Sequence, residues 1–340
     1  MSASPLRVAV IGAGLMGRWH ADAAARNGAR IVAVADPDPA RCQALARRHG
    51  ASAFDGLPAA LKAGPPDIVH LCTPAGTHRA LVTSALEAGA HVLAEKPLAP
   101  DGAGTSALLE LARREKRLLC PVHQFLFQRG VLNAGRAIET RIAPLLHLDY
   151  TACSAGGNGR SQQEIDDIAL DILPHPLSLV RRLLGQPLHD LALVAARPSA
   201  GELRVTGHSG QRSVSLLISM AGRPTSSSMR LIGGGGTIHL DLFHGFSVVE
   251  RGATSRAQKI AHPLLLAGAT MGAAVWNLGS RAVQREPAYP GLRELVRRFF
   301  AAVRGTEPCP ISAEEAIDVA RARDAVVRAI APAGASYRLS

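Results

Sequence analysis

Apolar and polar positions change rhythm twice along this chain. Through the first 120 residues, short apolar runs at 7–11, 30–35, 68–72, 91–94 and 117–120 predict strands. Between them, 16–27, 39–48 and 77–88 carry helical periodicity, and Gly28 and Gly89 close the first and third helices. Strands alternating with helices predict an α/β fold, a doubly wound parallel sheet with crossover helices.

From about residue 121 the rhythm shortens to strand-like alternation. The stretches 145–152, 202–207, 213–220, 227–232, 237–242 and 247–250 predict a second, open and mostly antiparallel sheet in an α+β domain. Gly233 to Gly236 is read as a hairpin turn, because a phosphate cradle needs a helix start after it. Helical spacing returns in Leu292, Leu295, Val296, Phe299, Phe300 and Val303, and Ser312 with Glu315 makes a capping box for a helix to about 329. The expected domains are 1–121 and 122–340, with the last helices able to pack back on the first domain.

The stretch 263–279 has no charged residue and nearly the length of a membrane span. Its glycines, Asn277 and the His262-Pro263 start weigh against spanning, so a buried or interface helix, or a lid over an apolar part of the substrate, is expected. Attachment to a membrane surface, with a lipid-linked substrate, is the lesser reading.

Composition narrows the function classes. The net charge of +11 would suit an anionic partner, but the arginines are scattered, there are four lysines, and aromatic residues are 4% of the chain. A nucleic-acid partner is not expected. Cys42, Cys72, Cys120, Cys153 and Cys309 are odd in number and lack ligand spacing, so reduced thiols and no metal site are expected. The opening residues carry no signal-peptide pattern, which makes the cytoplasm the expected location.

Candidate chemistry begins with Gly12-x-Gly14-x-x-Gly17, placed after a predicted strand and before a predicted helix. The first glycine permits the turn, the second lets backbone approach a pyrophosphate, and the third lets helix and strand pack. Asp36 ends the second strand, where a carboxylate accepts hydrogen bonds from ribose hydroxyls and repels a 2′-phosphate. NAD is therefore preferred to NADP, although Arg41 lies five residues on, within reach of a phosphate.

Four segments in order resemble the Gfo/Idh/MocA oxidoreductases, the glucose-fructose oxidoreductase and inositol dehydrogenase superfamily. They are the turn Gly12 to His20, Thr73-Pro74-Ala-Gly-Thr-His78, the run from Ala85 through Glu95-Lys96-Pro97, and Asp171-x-x-x-His175 with Leu183-Leu184-Gly185 after it. The resemblance is tight to about residue 100 and looser beyond. It implies an N-terminal Rossmann domain, a C-terminal domain whose open sheet forms an oligomer interface in a homodimer or homotetramer, and hydride transfer between nicotinamide and a hydroxyl-bearing carbon. It also implies that Lys96, Asp171 and His175 are the catalytic residues. The cofactor would be held by Gly12, Gly14, Leu15, Met16, Gly17, Asp36, Thr73, Pro74, His78, Glu95 and Lys96, and the Lys96–Pro97 peptide would be cis.

Chemistry asks for such groups independently. Oxidising a carbinol requires a base near neutrality for the hydroxyl proton, a task suited to His175. Asp171, four residues earlier, would orient or relay to it, and Lys96 would place positive charge where alkoxide character develops. The duller readings are a surface lysine, a core histidine and a capping aspartate. Pro174 and Pro176 flank His175, so a helix there must begin or bend at that point. Glycines usual in the family before the aspartate are replaced by 165–170, and Pro121-Val-His123-Gln124 stands where an Asn-x-Arg segment is common. A more apolar pocket follows, with His123 and Gln124 as candidate substrate contacts.

The leading expectation is an NAD(P)-dependent dehydrogenase or reductase acting on a sugar, cyclitol, nucleotide sugar or less polar secondary metabolite. The alternatives are an epimerase, eliminase or glycosidase using tightly bound NAD for transient oxidation, and a dinucleotide-sensing regulator without catalysis.

Overall fold

The computed structural model describes residues 4–156, 159–252, 255–286 and 288–331. The ends of the two expected domains, 1–3 and 332–340, lie outside the described residues. Two compact units are formed by the described residues, one from 4–123 with Leu292–Arg321, the other from Gln124–Gly291 with 322–331.

The first unit opens with β1 (Arg7–Ile11), α1 (Leu15–Arg26), β2 (Arg30–Ala35), α2 (Pro39–His49), β3 (Ser52–Phe54) and α3 (Leu57–Ala63). It continues through β4 (Ile68–Leu71), α4 (His78–Glu87), β5 (His91–Ala94), α5 (Gly102–Arg114) and β6 (Leu119–Pro121). The six strands form one parallel sheet in the order β3-β2-β1-β4-β5-β6. Val8, Ala9 and Val10 of β1 and Ile68 and Val69 of β4 are fully buried, as strands covered by helices on both faces must be. The order reverses between β1 and β4, which opens a crevice beyond their carboxyl ends.

The second unit contains α6 (Arg129–Ala137), β7 (Leu145–Cys153), α7 (Gln162–Ile172) and α8 (Pro174–Leu184). Then come β8 (Val194–Ala196), β9 (Glu202–Ser209), β10 (Arg212–Ser219), β11 (Ser226–Gly233), β12 (Gly236–Asp241), β13 (Phe246–Arg251) and α9 (Arg256–Val283). The sheet order is β13-β12-β11-β7-β10-β9-β8, parallel only where β10 meets β7. Gly233 pairs with Gly236 across the β11–β12 hairpin, the turn anticipated for this glycine run. One sheet face is core, with Leu148, Tyr150, Leu216 and Leu231 buried. The other is polar, with Asp149 and Arg230 paired at 3.6 Å and His147 bonded to Ser213 at 2.7 Å.

Two helices complete the chain. In the first unit, α10 (Leu292–Val303) buries Leu295, Val296, Phe299 and Phe300, and Asn27 at the end of α1 donates to its Arg293 carbonyl at 3.0 Å. The last helix, α11 (Ala313–Ile330), is divided between the units at Arg321 and Ala322.

The apolar stretch 263–279 corrects the buried-helix reading. It lies inside α9 and is not buried: of the helix only Asn277 is buried, while Leu264 is 79% and Trp276 73% exposed. One face of α9 is pinned to β13 and its approach, through His262 to Glu250 and Asn277 to the His244 carbonyl. No described helix is long and apolar enough to cross a membrane.

Candidate cofactor and catalytic sites

In the first unit, the loop after β1 is shaped by its glycines. Gly12 takes φ +94°, and a Cβ there would sit 2.6 Å from the Cys72 carbonyl oxygen. At Gly17 a Cβ would run into the Gly12 carbonyl, so α1 packs tightly against β1. Gly14 differs. A Cβ there meets nothing, and Gly14 caps α1 without any side-chain hydrogen bond, while the first N–H groups of a helix have no partner within it. A helix start presented that way suits an anion.

Asp36 ties this loop to the next. One carboxylate oxygen accepts from the Ala13 N–H at 2.6 Å and the other from the Asp38 N–H at 2.8 Å. A carboxylate offers about four lone-pair sites, so capacity remains for ribose hydroxyls. Arg41 is held at 3.0 Å by Asp38, which draws it into a local ion pair.

Beyond β4 and β5, two loops are joined by His78. Its buried ring bridges the Thr73 carbonyl and the Pro97 carbonyl, each at 2.8 Å, and Thr77 bonds to Thr73 and Pro74. The Lys96–Pro97 peptide is cis, in keeping with the expectation. Glu95, immediately before it, pairs with His20 at 3.1 Å, and His20 in turn meets His70 at 3.3 Å. Burial, reinforced by His20, pulls His70 well below the ordinary imidazole range, so His70 is neutral. Burial pushes Glu95 upward, but hydrogen bonding and charge from His20, with Lys96 beside it, outweigh that and hold Glu95 ionised. A fixed carboxylate thus stands next to the Lys96 backbone. His20 and His70 were not anticipated, since only the fold brings α1 and β4 together around Glu95.

In the second unit, Asp171 lies on the last turn of α7 and His175 on the first turn of α8. The two helices meet at Leu173, whose φ of −54° and ψ of −37° remain helical. Pro174 and Pro176 fall in the opening turn of α8, where N–H groups have no partner within the helix, so the prolines break no helical bond. The ring of His175 stacks on Phe125 with centroids 4.4 Å apart and planes 15° from parallel. Arg323, buried in the same unit, is drawn below the usual arginine range by burial, opposed by Asp324 and Asp171.

His175 lines a cavity of about 560 Å³ within this unit. Gln124, Phe125, Gln128, Tyr150 and His244 share its wall, with Arg281 and Tyr289. Burial, eased slightly by the Ser227 hydroxyl, pushes the Tyr150 phenol up to about 12, so it stays protonated. Of the two proposed substrate contacts, Gln124 lines the cavity and His123 does not; His123 is buried in the first unit, its N–H on the Pro121 carbonyl. Apart from Gln124 and His175, the wall residues come from separate strands and loops with no shared motif, which is why spacing did not reveal them.

A parallel sheet in this strand order, with a Gly-x-Gly-x-x-Gly loop after its first strand and an acid after its second, is a dinucleotide-binding Rossmann fold. Residues 6–123 match the family model described as the oxidoreductase family, NAD-binding Rossmann fold. Over 210 residues it is 33% identical to inositol 2-dehydrogenase 4 of Saccharopolyspora erythraea, covering 59% of this chain and 60% of that one. It is 41% identical over 122 residues to the D-glucoside 3-dehydrogenase of Escherichia coli, 35% of each chain. The chain thus spans about 60% or less of these relatives' lengths. The fold extends further: the WlbA dehydrogenase of Bordetella pertussis, solved with NADH and UDP-GlcNAcA, superposes with a TM-score of 0.77 over 97% of this chain and 96% of that one, at 18% identity.

Proposed function

We propose that this protein is an NAD-dependent oxidoreductase of a hydroxyl or ketone carbon in a sugar, cyclitol, nucleotide sugar or less polar metabolite. The observation that carries the reading is the carboxyl edge of the first sheet. Within one unit it gathers the open helix start at Gly14, the Asp36 carboxylate, the Thr73–His78 loop and Lys96, all around the reversal of strand order. When bound, the nicotinamide supplies the hydride acceptor or donor. The first turn of α1 would hold the pyrophosphate, and Asp36 would take the ribose hydroxyls and disfavour a 2′-phosphate.

The chain's residues then manage a proton and a charge. His175 receives the hydroxyl proton during oxidation and returns it during reduction. Asp171 supports the imidazolium that forms, and Lys96 supplies a positive charge at the carboxyl edge of the first sheet. Glu95, held ionised by His20, positions Lys96. The relatives named for inositol and glucosides support a polyol or sugar substrate, while Phe125, Tyr150 and Leu242 in the cavity wall favour a substrate with an apolar portion. A homodimer or homotetramer in the cytoplasm belongs to the same reading.

A screen of NADH formation across polyols, glycosides, nucleotide sugars and apolar alcohols, repeated with NADP, tests this. Turnover with NAD at least tenfold faster than with NADP on one of these classes is expected. Absence of NAD binding by the folded protein would refute it.

A further inference from the structure

We propose that α9 docks the protein on an anionic phospholipid surface, lying in the plane of the bilayer without crossing it. The helix is anchored on one side only, where His262 reaches Glu250 and Asn277 and Arg281 donate to the His244 carbonyl. The opposite side is apolar and open. Ile260, Leu264, Met271, Val275 and Leu278 are 66% to 79% exposed. Leu265, Trp276 and Val283 extend the patch around the helix and are 60% to 85% exposed. At 3.6 residues per turn these side chains sweep an arc of about 160°. Soluble monomers rarely leave so continuous an apolar surface uncovered.

Width and charge identify what covers it. A partner helix covers a narrow seam, about the width of one ridge and groove, and would leave Trp276 or Leu278 in water. A hydrocarbon medium covers the whole arc. Between Glu250 and Glu286 there is no acidic residue, whereas Arg251, Arg256 and Lys259 precede the apolar stretch and Arg285 follows it. Pairing two copies of this helix, parallel or antiparallel, would bring cations against cations. Anionic headgroups instead meet positive charge at both ends, with the apolar arc sunk between them, as in helices that lie at an interface. Spanning is ruled out by the inner face, where Asn277 is buried against the sheet side of the unit.

The test uses the full chain with vesicles of phosphatidylcholine, with or without phosphatidylglycerol. The chain has two tryptophans, Trp19 and Trp276, so Trp19→Phe leaves Trp276 as the only indole reporter. Binding should rise with phosphatidylglycerol and fall with salt, with a blue shift of Trp276 emission. Met271→Glu with Val275→Glu should cut partitioning at least tenfold at unchanged circular dichroism. Arg256→Gln and Lys259→Gln should each weaken it about fivefold. Failure of the folded protein to bind any anionic vesicle would overturn the proposal. So would a vesicle-free dimer that Met271→Glu with Val275→Glu dissociates, since a second copy would then cover the helix.

Discussion

At the scale of single residues, the first unit is organised around one ionised carboxylate and one neutral imidazole. His70 has no exposed surface and lies against Phe300, with ring centroids 6.0 Å apart, as well as against His20. Its folded value lies below the ordinary 6.5, so between those two values the unfolded chain binds a proton that the native state refuses. Stability from this group is complete above about pH 6.5 and is lost as pH falls toward the folded value. Unfolding free energies from urea titrations between pH 8 and pH 5 should therefore decline below pH 6.5 with a slope of up to about 1.4 kcal/mol per pH unit. His70→Gln should flatten that slope even if it lowers stability throughout; an unchanged slope would show that another group titrates. Local motifs made Gly12, Gly14, Gly17, Asp36 and Lys96 visible in the sequence, because each acts through its own turn. The His20–His70–Glu95 chain was hidden, since it joins residues 50 and 75 positions apart.

At the scale of elements, the prolines around His175 show how position decides cost. Pro174 opens α8 and lacks only an N–H that has no helical partner there. Pro174→Ala should change unfolding free energy by less than about 1 kcal/mol. Arg181→Pro, deep in the same helix, should cost about 3 kcal/mol or more, because it removes a ladder bond and clashes with the preceding turn. Denaturant unfolding of both variants checks this, and equal losses would contradict the assigned helix start. Periodicity recovered the long strands of both sheets. It missed β3 and β8, which are three residues each, too short for alternation to register. The fate of α9 was equally illegible: an uncharged run states that water is disfavoured without stating whether protein or lipid replaces it.

At the scale of the whole molecule, the two units differ in how far their sequences reveal their work. The first matches the model of an NAD-binding Rossmann fold from residue 6 to 123, where short motifs dictate the turns that such a fold needs. In the second, the strand architecture was readable while the cavity wall beyond Gln124 and His175 was not, because a sheet fixes which positions face inward and leaves their chemistry free to vary. We propose that Lys96 and His175 perform the chemistry and that loss of either side chain leaves dinucleotide binding largely intact. The most direct measurement compares Lys96→Ala and His175→Ala with the parent, on the alcohol that supports turnover, recording NAD affinity and kcat together. Affinity within about threefold of the parent and kcat lower by roughly a hundredfold or more are predicted for both. Undiminished kcat in both variants would contradict the claim.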